Sequence, residues 1–294
     1  MDEAAGMIAG IEPSVERGLA CVRIANRHGE ALVYLHGAHL ASWRPTGQRE
    51  VLWTSARSAY QSDKPIRGGV PICWPWFGAH PERAELPAHG FARTRAWAFA
   101  GGSTRADGAT SVAFVLRDDA ATRALWPRPL RLRYQVTVGP ALELRLQTTS
   151  ADDRPFSLGG ALHTYFAISD VRAIGITGLR GATYIDRMRD SARETEQHER
   201  LTIATETDRI YDSTTACALD DPGWSRTIAI AKTGSRSTVV WNPWIAKAAR
   251  MADFGDDEWP GMVCIETANA GDASIAVQPY GYHDLVARIE VQGR

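Results

Sequence analysis

Residues 130–147 read LRLRYQVTV, then GPA, then LELRLQ. Apolar and polar side chains alternate from Leu130 to Val138, and they alternate again from Leu142 onward. A period of two is typical of a strand with one buried and one wet face, and Gly139-Pro140 interrupts the pattern between the two runs. This stretch therefore predicts an antiparallel β-hairpin, the clearest one in the chain.

Short runs of the same kind recur on both sides of this hairpin, separated by Gly and Pro. We predict further strands at 19–26, 30–35, 37–43, 111–116, 156–166, 171–177, 227–231, 237–241, 262–267, 273–278 and 285–291. Helical turns are predicted only at 120–126 and 186–193. Many short strands and few helices favour an all-β antiparallel sandwich. No repeat, Gly-rich linker or change of composition divides the chain, so we expect a single domain over residues 1–294.

Composition excludes several classes of protein. The 294 residues are 44% apolar, which allows a sizeable core, and carry a formal charge of −1. That balance provides no electrostatic basis for binding nucleic acid. No apolar run reaches the roughly 20 residues that a membrane-spanning helix needs. The chain starts Met1-Asp2-Glu3, acidic where a signal peptide is basic, so we expect a cytoplasmic protein without membrane partners.

The cysteines are spaced too widely to suggest a metal site or a disulfide framework. They are Cys21, Cys73, Cys217 and Cys264. Most of them lie in apolar or small-residue runs, so we predict buried free thiols. The histidines also lack metal-ligand spacing.

Residues 66–93 form the most unusual segment of the chain. It begins IRGGVPICWPWFG and ends LPAHGFAR. Arg67 and Arg93 could hold an oxyanion such as phosphate, with His89 nearby, and the aromatic rings could face the apolar side of a sugar. These rings are Trp74, Trp76, Phe77 and Phe91. The alternative is that the Gly and Pro pairs mark ordinary turns and that the rings belong to the core.

Three further side chains could carry chemistry. His163 lies in GGALHTYF, and on a strand it shares a face with Tyr165. Its unperturbed pKa of about 6.5 suits proton transfer near neutrality, although a structural histidine is an equal alternative. Asp208 could accept hydrogen bonds from sugar hydroxyls or could be an exposed loop carboxylate. Glu266 follows Val263-Cys264-Ile265 on a strand that reads as buried, and a buried carboxylate is usually paired or functional.

Taken together, these segments closely resemble the hexose-6-phosphate mutarotases, or glucose-6-phosphate 1-epimerases, of the aldose 1-epimerase superfamily. The resemblance rests on IRGGVP, WP and FG within residues 66–78, LPAHGFAR at 86–93, LHTYF at 162–166, Asp208 with Ile210-Tyr211, VWNPW at 240–244 and CIET at 264–267. These matches follow the family's order and span most of the chain.

The resemblance implies a large antiparallel β-supersandwich of the galactose-mutarotase type, without a metal or organic cofactor. His163 would be the general acid and Glu266 the general base. Arg67 and Arg93 would bind the 6-phosphate, Asp208 the hydroxyls, and His89 would lie near the ring. The implied activity is interconversion of the α and β anomers of a hexose 6-phosphate, most simply glucose 6-phosphate. The sequence carries no signal for an oligomer, and a monomer is the default expectation.

Three alternatives fit parts of the pattern. A carbohydrate-binding module would need the rings and arginines but not both His163 and Glu266. A mutarotase for unphosphorylated hexose would not need Arg67 and Arg93. A glycoside hydrolase usually needs two carboxylates flanking the scissile bond, for which Asp208 and Glu266 are the candidate pair.

Overall fold

The computed structural model describes residues 9–293, and its strands follow the two-residue period of the sequence. In chain order the first eleven strands are β1 (Ile11–Glu16), β2 (Leu19–Asn26), β3 (Gly29–Tyr34), β4 (His39–Pro45), β5 (Ile72–Cys73), β6 (Ala98–Thr104), β7 (Thr110–Arg117), β8 (Leu130–Val138), β9 (Leu142–Ser150), β10 (Phe156–Leu158) and β11 (Gly160–Leu162). The remaining strands are β12 (Tyr165–Ala167), β13 (Gly175–Thr177), β14 (Thr183–Asp186), β15 (Ala192–Thr195), β16 (Arg200–Leu201), β17 (Thr207–Asp212), β18 (Cys217–Asp221), β19 (Arg226–Thr233), β20 (Ser237–Asn242), β21 (Met262–Asn269), β22 (Ile275–Val277) and β23 (Tyr282–Gly293).

Helical structure in the described part of the chain is sparse. The α-helices are α1 (Ala120–Leu125) and α2 (Trp244–Ala248), and short 3₁₀ turns occupy Ala92–Thr94, Pro222–Trp224 and Trp259–Gly261. Helix α1 begins at Asp119, whose side chain accepts a hydrogen bond from the backbone N–H of Thr122, as in a capping box. Neither α-helix within residues 9–293 is long and apolar enough to cross a membrane.

Two large antiparallel sheets dominate residues 9–293. One has nine strands in the order β16-β13-β18-β19-β23-β9-β8-β7-β6. The other runs β15-β14-β17-β20-β21-β11-β5, with β12 also paired to β21. A four-stranded sheet, β1-β2-β3-β4, and a β10–β22 pair complete the described strands. The predicted all-β antiparallel architecture is confirmed.

The hairpin predicted at 130–147 forms the β8–β9 pair, with Val138 opposite Leu142. Leu132, Tyr134 and Val136 are fully buried on one face of β8, and the residues between them are more exposed. Burying each large apolar side chain contributes roughly 1.5–3 kcal/mol. The alternating pattern therefore sets both the strand and the face that enters the core.

Strand β21 is buried along its whole length. Val263 and Ile265 belong to the main hydrophobic core, and β21 contacts β23 of the nine-stranded sheet. Side chains on a strand alternate between faces, so Glu266 points to the side opposite Ile265. This places the carboxylate on the outer face of its sheet.

Three sequence predictions need correction. Residues 156–166 form β10, β11 and β12 rather than one strand, because the backbone N–H groups of Gly159 and His163 donate to the carbonyls of Pro75 and Pro71 instead of continuing one ladder. Only Gly175–Thr177 of the predicted strand 171–177 is extended. Residues 186–193 are not helical.

The segment 186–193 joins β14 to β15 as a hairpin connection. Asp190 and Ser191 have φ values of +51° and +57°, which place them in the left-handed region used by tight hairpin turns. The polar composition that suggested a helical turn reflects this exposed connection.

Candidate active site

A cleft of about 390 Å³ opens on the outer face of the eight-stranded sheet. Its walls include Arg67, Phe77, His89, His163, Tyr165, Arg187, Asp208, Trp241, Lys247 and Glu266. Five of the six residues predicted from sequence line this one cleft. A wider groove of about 1060 Å³ beside the four-stranded sheet contains none of the six.

His163 is placed by a tight turn between β11 and β12. The backbone N–H of Thr164 donates to Leu162 O at 2.9 Å, which closes a three-residue turn with His163 at its centre. The backbone N–H of His163 donates to Pro71 O at 3.0 Å. Its ring stacks on Tyr165, with centroids 4.7 Å apart and planes 10° apart, so the two side chains share a face as predicted.

Glu266 approaches His163 from the neighbouring strand β21. Glu266 Oε1 lies 3.4 Å from His163 Nδ1, and both side chains are almost completely buried. Among residues 9–293, neither His163 Nδ1 nor Glu266 Oε2 has a hydrogen-bond partner. A buried polar atom without a partner is costly, and such atoms concentrate at sites that bind a ligand.

Burial disfavours the charged form of both groups. It lowers the pKa of His163 well below the usual value, and the positive charges of Arg93 and Arg67 lower it further. Burial raises the pKa of Glu266 well above the usual value, and the negative charge of Asp208 adds to the effect. These shifts favour a neutral imidazole and a protonated carboxyl in the free protein, whereas the acid and base roles implied from the sequence need an imidazolium and a carboxylate.

His89 enters the cleft from a left-handed backbone. Its φ is +65°, and the following Gly90 has a φ of +72°. A non-glycine residue in this region is strained and frequently functional. The backbone N–H of His89 donates to Gly78 O at 2.7 Å, and the ring meets Phe77 edge-on. Burial, with the Arg93 charge, lowers the pKa of His89 to about 3, so the imidazole is neutral.

Asp208 lies in strand β17 and lines the cleft. Its strand pairs with β20, where Asp208 is opposite Trp241, while Val239 of β20 is opposite Glu266 of β21. This register brings the two carboxyl groups to the same face with one strand between them. Burial raises the pKa of Asp208, against the charges of Arg187 and Lys247.

Arg67 lies in the cleft wall with its guanidinium already engaged. Nε and one terminal nitrogen contact Asp253 Oδ2 at 3.2 and 3.1 Å, and the other terminal nitrogen donates to the Tyr165 hydroxyl at 2.9 Å. Gly69, two residues on, has a φ of +58°, and a Cβ there would collide with Leu40 O and His39 Nε2. The glycine pair thus lets the chain pass close to β4 and aims Arg67 into the cleft.

Arg93 does not line the cleft. Its guanidinium donates to the carbonyl of Ala88 at 2.8 Å, next to His89 in the sequence. Its charge still lowers the pKa of His89, His163 and Glu266. In this conformation it influences the site electrostatically, whereas Arg67 borders the cleft directly.

Most of the aromatic rings that could have faced a sugar belong to the core. Trp74 and Phe91 are 1% exposed and Trp76 is 6% exposed, and only Phe77 of the four lines the cleft. Trp241 and Tyr165 supply further aromatic surface there. The alternative considered from sequence, core packing, is therefore correct for three of the four rings.

Sequence reasoning missed two cations in the cleft wall, Arg187 and Lys247. Lys247 pairs with Glu206 at 3.2 Å and lies over the Trp241 ring. Arg187 follows β14 in a segment that reads as an exposed polar turn, so no local signal distinguishes it. Its backbone N–H donation to Asp208 O at 2.9 Å depends on the pairing of β14 with β17.

The described cysteines are free and buried, as predicted. No group of His, Cys, Asp and Glu side chains in residues 9–293 has an arrangement that could hold a metal ion. The cleft brings together two side chains that can exchange protons, His163 and Glu266, with cationic and aromatic side chains beside them.

This fold and this cleft are those of a sugar epimerase, and the chain belongs to the aldose 1-epimerase family, whose sequence model matches residues 20–283. A relative from Cenchrus ciliaris, provisionally named glucose-6-phosphate 1-epimerase, is 35% identical over 92% of this chain and 82% of its own. The structure of YeaD from Salmonella typhimurium, provisionally described as a mutarotase, superposes with a TM-score of 0.92 at 31% identity, covering 98% of this chain and 96% of that one.

A galactose mutarotase-like protein from Clostridium acetobutylicum shares the fold, with a TM-score of 0.76 at 11% identity over 97% of this chain and 98% of its own. The predicted family and the supersandwich fold are confirmed.

Proposed function

We propose that this protein interconverts the α and β anomers of a hexose 6-phosphate, with glucose 6-phosphate as the principal substrate. The observation that carries the proposal is the His163–Glu266 pair. Two buried proton-transfer groups lie 3.4 Å apart in one cleft, and each presents an atom without a hydrogen-bond partner in the described structure. The names of the relatives support the same reaction.

The reaction needs one proton removed and one supplied. A base takes the proton of the anomeric hydroxyl, the electrons of that O–H bond form the C1=O1 double bond, and the C1–O5 bond breaks. The ring oxygen O5 receives a proton from the acid. Rotation about C1–C2 and closure on the other face of the aldehyde then invert C1, and both protons return.

We assign these roles to Glu266 as base and His163 as acid in the direction of ring opening. The neutral pair of the free protein and an imidazolium–carboxylate pair carry the same single proton and differ only in its position. Catalysis therefore requires the singly protonated pair. Since the reaction is reversible, each group acts as acid and base in turn.

Other cleft residues hold the substrate in this proposal. Asp208 accepts hydrogen bonds from sugar hydroxyls, and His89, as a neutral imidazole beside Phe77, borders the ring. Arg67 has guanidinium N–H groups beyond those engaged by Asp253 and Tyr165, and these bind the 6-phosphate. Arg93 supports the phosphate through its positive charge and binds it directly if its bond to Ala88 opens.

Ring opening is feasible in water without a catalyst, so a modest acceleration suffices. Positioned acid–base groups contribute roughly 10²–10⁴-fold. The assigned pair can thus account for the activity without a cofactor.

Residence in the cytoplasm, the monomeric state and the single domain remain predictions.

Two-dimensional exchange NMR on glucose 6-phosphate tests the proposal. We expect cross-peaks between the α and β C1 protons to build up faster with the protein than without it. Binding of glucose 6-phosphate without faster exchange would instead indicate a carbohydrate-binding module. Equal acceleration with free glucose would indicate a mutarotase of unphosphorylated hexose, and release of reducing sugar from a glycoside would indicate a hydrolase.

A further inference from the structure

Arg187 is the cation lining the cleft whose guanidinium has no hydrogen-bond or ion-pair partner among residues 9–293. Its backbone is fixed by the N–H bond to Asp208 O at 2.9 Å. Its guanidinium lies over Gly78, where a Cβ would be 3.6 and 3.8 Å from the two terminal nitrogens. Within residues 9–293 no carboxylate or carbonyl accepts a hydrogen bond from this guanidinium, and the residue is exposed.

The other cations that line the cleft already form ion pairs within the protein. Arg67 is paired with Asp253 at 3.1 Å, and Lys247 is paired with Glu206 at 3.2 Å. A phosphate that approached Arg67 alone would also meet the carboxylate of Asp253. Because like charges repel, Arg67 with Asp253 is a weaker site for a dianion than a guanidinium without a counter-ion.

The position of Arg187 connects it to the groups assigned to the reaction. Its charge lowers the pKa of His89, Asp208 and Glu266, which shows that it is electrostatically close to all three. It also bridges two walls of the cleft, since β17 fixes its backbone and the loop at Gly78 lies under its guanidinium. An anion there would meet the one lining cation that forms no ion pair within 4 Å in the described structure.

We propose that Arg187 binds the phosphate of the substrate and determines the preference of the cleft for a phosphorylated over an unphosphorylated hexose. This inference rests on the proposed function. Arg187 is exposed at the cleft mouth, so a phosphate bound to it keeps part of its hydration while the apolar and catalytic side chains surround the ring. Keeping that hydration avoids the large desolvation cost of a fully buried charge pair.

The test compares R187Q with R189Q. Arg189 lies two residues further on in the same exposed connection, but its guanidinium pairs with Glu194 and does not line the cleft. We expect R187Q to lower the ratio of kcat/KM on glucose 6-phosphate to kcat/KM on glucose by about tenfold or more, mainly through KM, because hydrogen bonds to charged groups are worth that much. R187K should recover part of the preference, and R189Q should retain it.

Binding of inorganic phosphate, measured by calorimetry, tests Arg187 without reference to turnover. We expect phosphate to bind the wild-type protein and R189Q alike and to bind R187Q at least about tenfold more weakly. An R187Q protein that keeps its affinity for phosphate would overturn the assignment. So would a result in which R67Q loses phosphate binding and R187Q does not. If phosphate binding depends on Arg187 but no anomer exchange is accelerated, the proposed function fails and the anion site stands.

Discussion

Asp208 and Glu266 present their carboxyl groups on one face of the eight-stranded sheet, from strands β17 and β21 with β20 between them. The negative charge of Asp208 is, after burial, the main cause of the raised pKa of Glu266. The carboxylate proposed to hold hydroxyls therefore also influences the protonation of the proposed base.

Replacing Asp208 with Asn should move the acid limb of the pH–rate profile to lower pH. Loss of a negative charge favours ionised Glu266 and lowers its pKa, so the singly protonated pair persists into more acidic solution. The profile of kcat on glucose 6-phosphate, measured by exchange NMR between pH 4 and 9, checks this. An acid limb that stays in place or moves upward would contradict the electrostatic coupling.

The wild-type rate should depend on pH as a bell. Acid adds a second proton to the His163–Glu266 pair and base removes the only one, and either change abolishes the acid–base partnership. The two limbs report apparent pKa values of the pair rather than of either residue. A flat profile from pH 5 to 9 would argue against these roles.

Glu266→Gln should reduce anomer exchange by roughly 10²–10⁴-fold while leaving the fold intact. The amide has the shape of the carboxyl but cannot transfer its proton, and because burial favours the neutral form of Glu266, a neutral amide suits the same surroundings. His163→Gln should have a loss of similar size.

Thermal unfolding measured beside the exchange rate separates chemistry from folding in these variants. Glu30→Gln, at an exposed position on β3, is the control and should retain both activity and stability. A Glu266→Gln protein with wild-type exchange would exclude Glu266 as the base.

Arg67→Ala should weaken binding of glucose 6-phosphate more than binding of glucose. It removes a guanidinium from the cleft wall, and a charge-assisted bond is worth about 1.5–3 kcal/mol. Tyr165→Phe is the matched control, since it removes only the hydroxyl that Arg67 contacts at 2.9 Å. Separate KM values for glucose 6-phosphate and glucose measure this difference. Equal losses of affinity for the two sugars would rule out a phosphate contact by Arg67.

Asp221→Asn should lower the free energy of unfolding by about 3–5 kcal/mol, because it leaves the charge of buried Arg226 without its partner. The two side chains are 0% and 2% exposed, with Asp221 Oδ2 3.6 Å from Arg226 Nε. Urea unfolding measures the change. The exposed Arg44–Glu30 pair is the comparison: Glu30→Gln should change stability by less than about 1 kcal/mol. Equal effects from the two variants would contradict this account.

The local pattern of the chain was sufficient for much of the fold. Alternation at 130–147 predicted β8 and β9 as a hairpin, and the run before Glu266 predicted a buried strand that β21 confirms. The pattern wrongly predicted a single strand at 156–166, where backbone N–H groups donate to the carbonyls of Pro71 and Pro75 in a distant loop. A pattern of apolar residues does not specify which carbonyl accepts the hydrogen bond of a given backbone N–H.

The sequence by itself determined the class of strand-rich fold and the family, and it picked out the residues proposed to transfer protons, because these depend on short-range periodicity and on contiguous motifs. Only the tertiary structure decided that His163 stands at the centre of a tight turn beside Glu266, that Arg93 does not line the cleft, and that Arg187 lines it. Those outcomes depend on how β14, β17, β20 and β21 pair across the sheet. Strand pairing is a long-range choice, made by the burial and hydrogen bonding of the whole sheet rather than by any one segment.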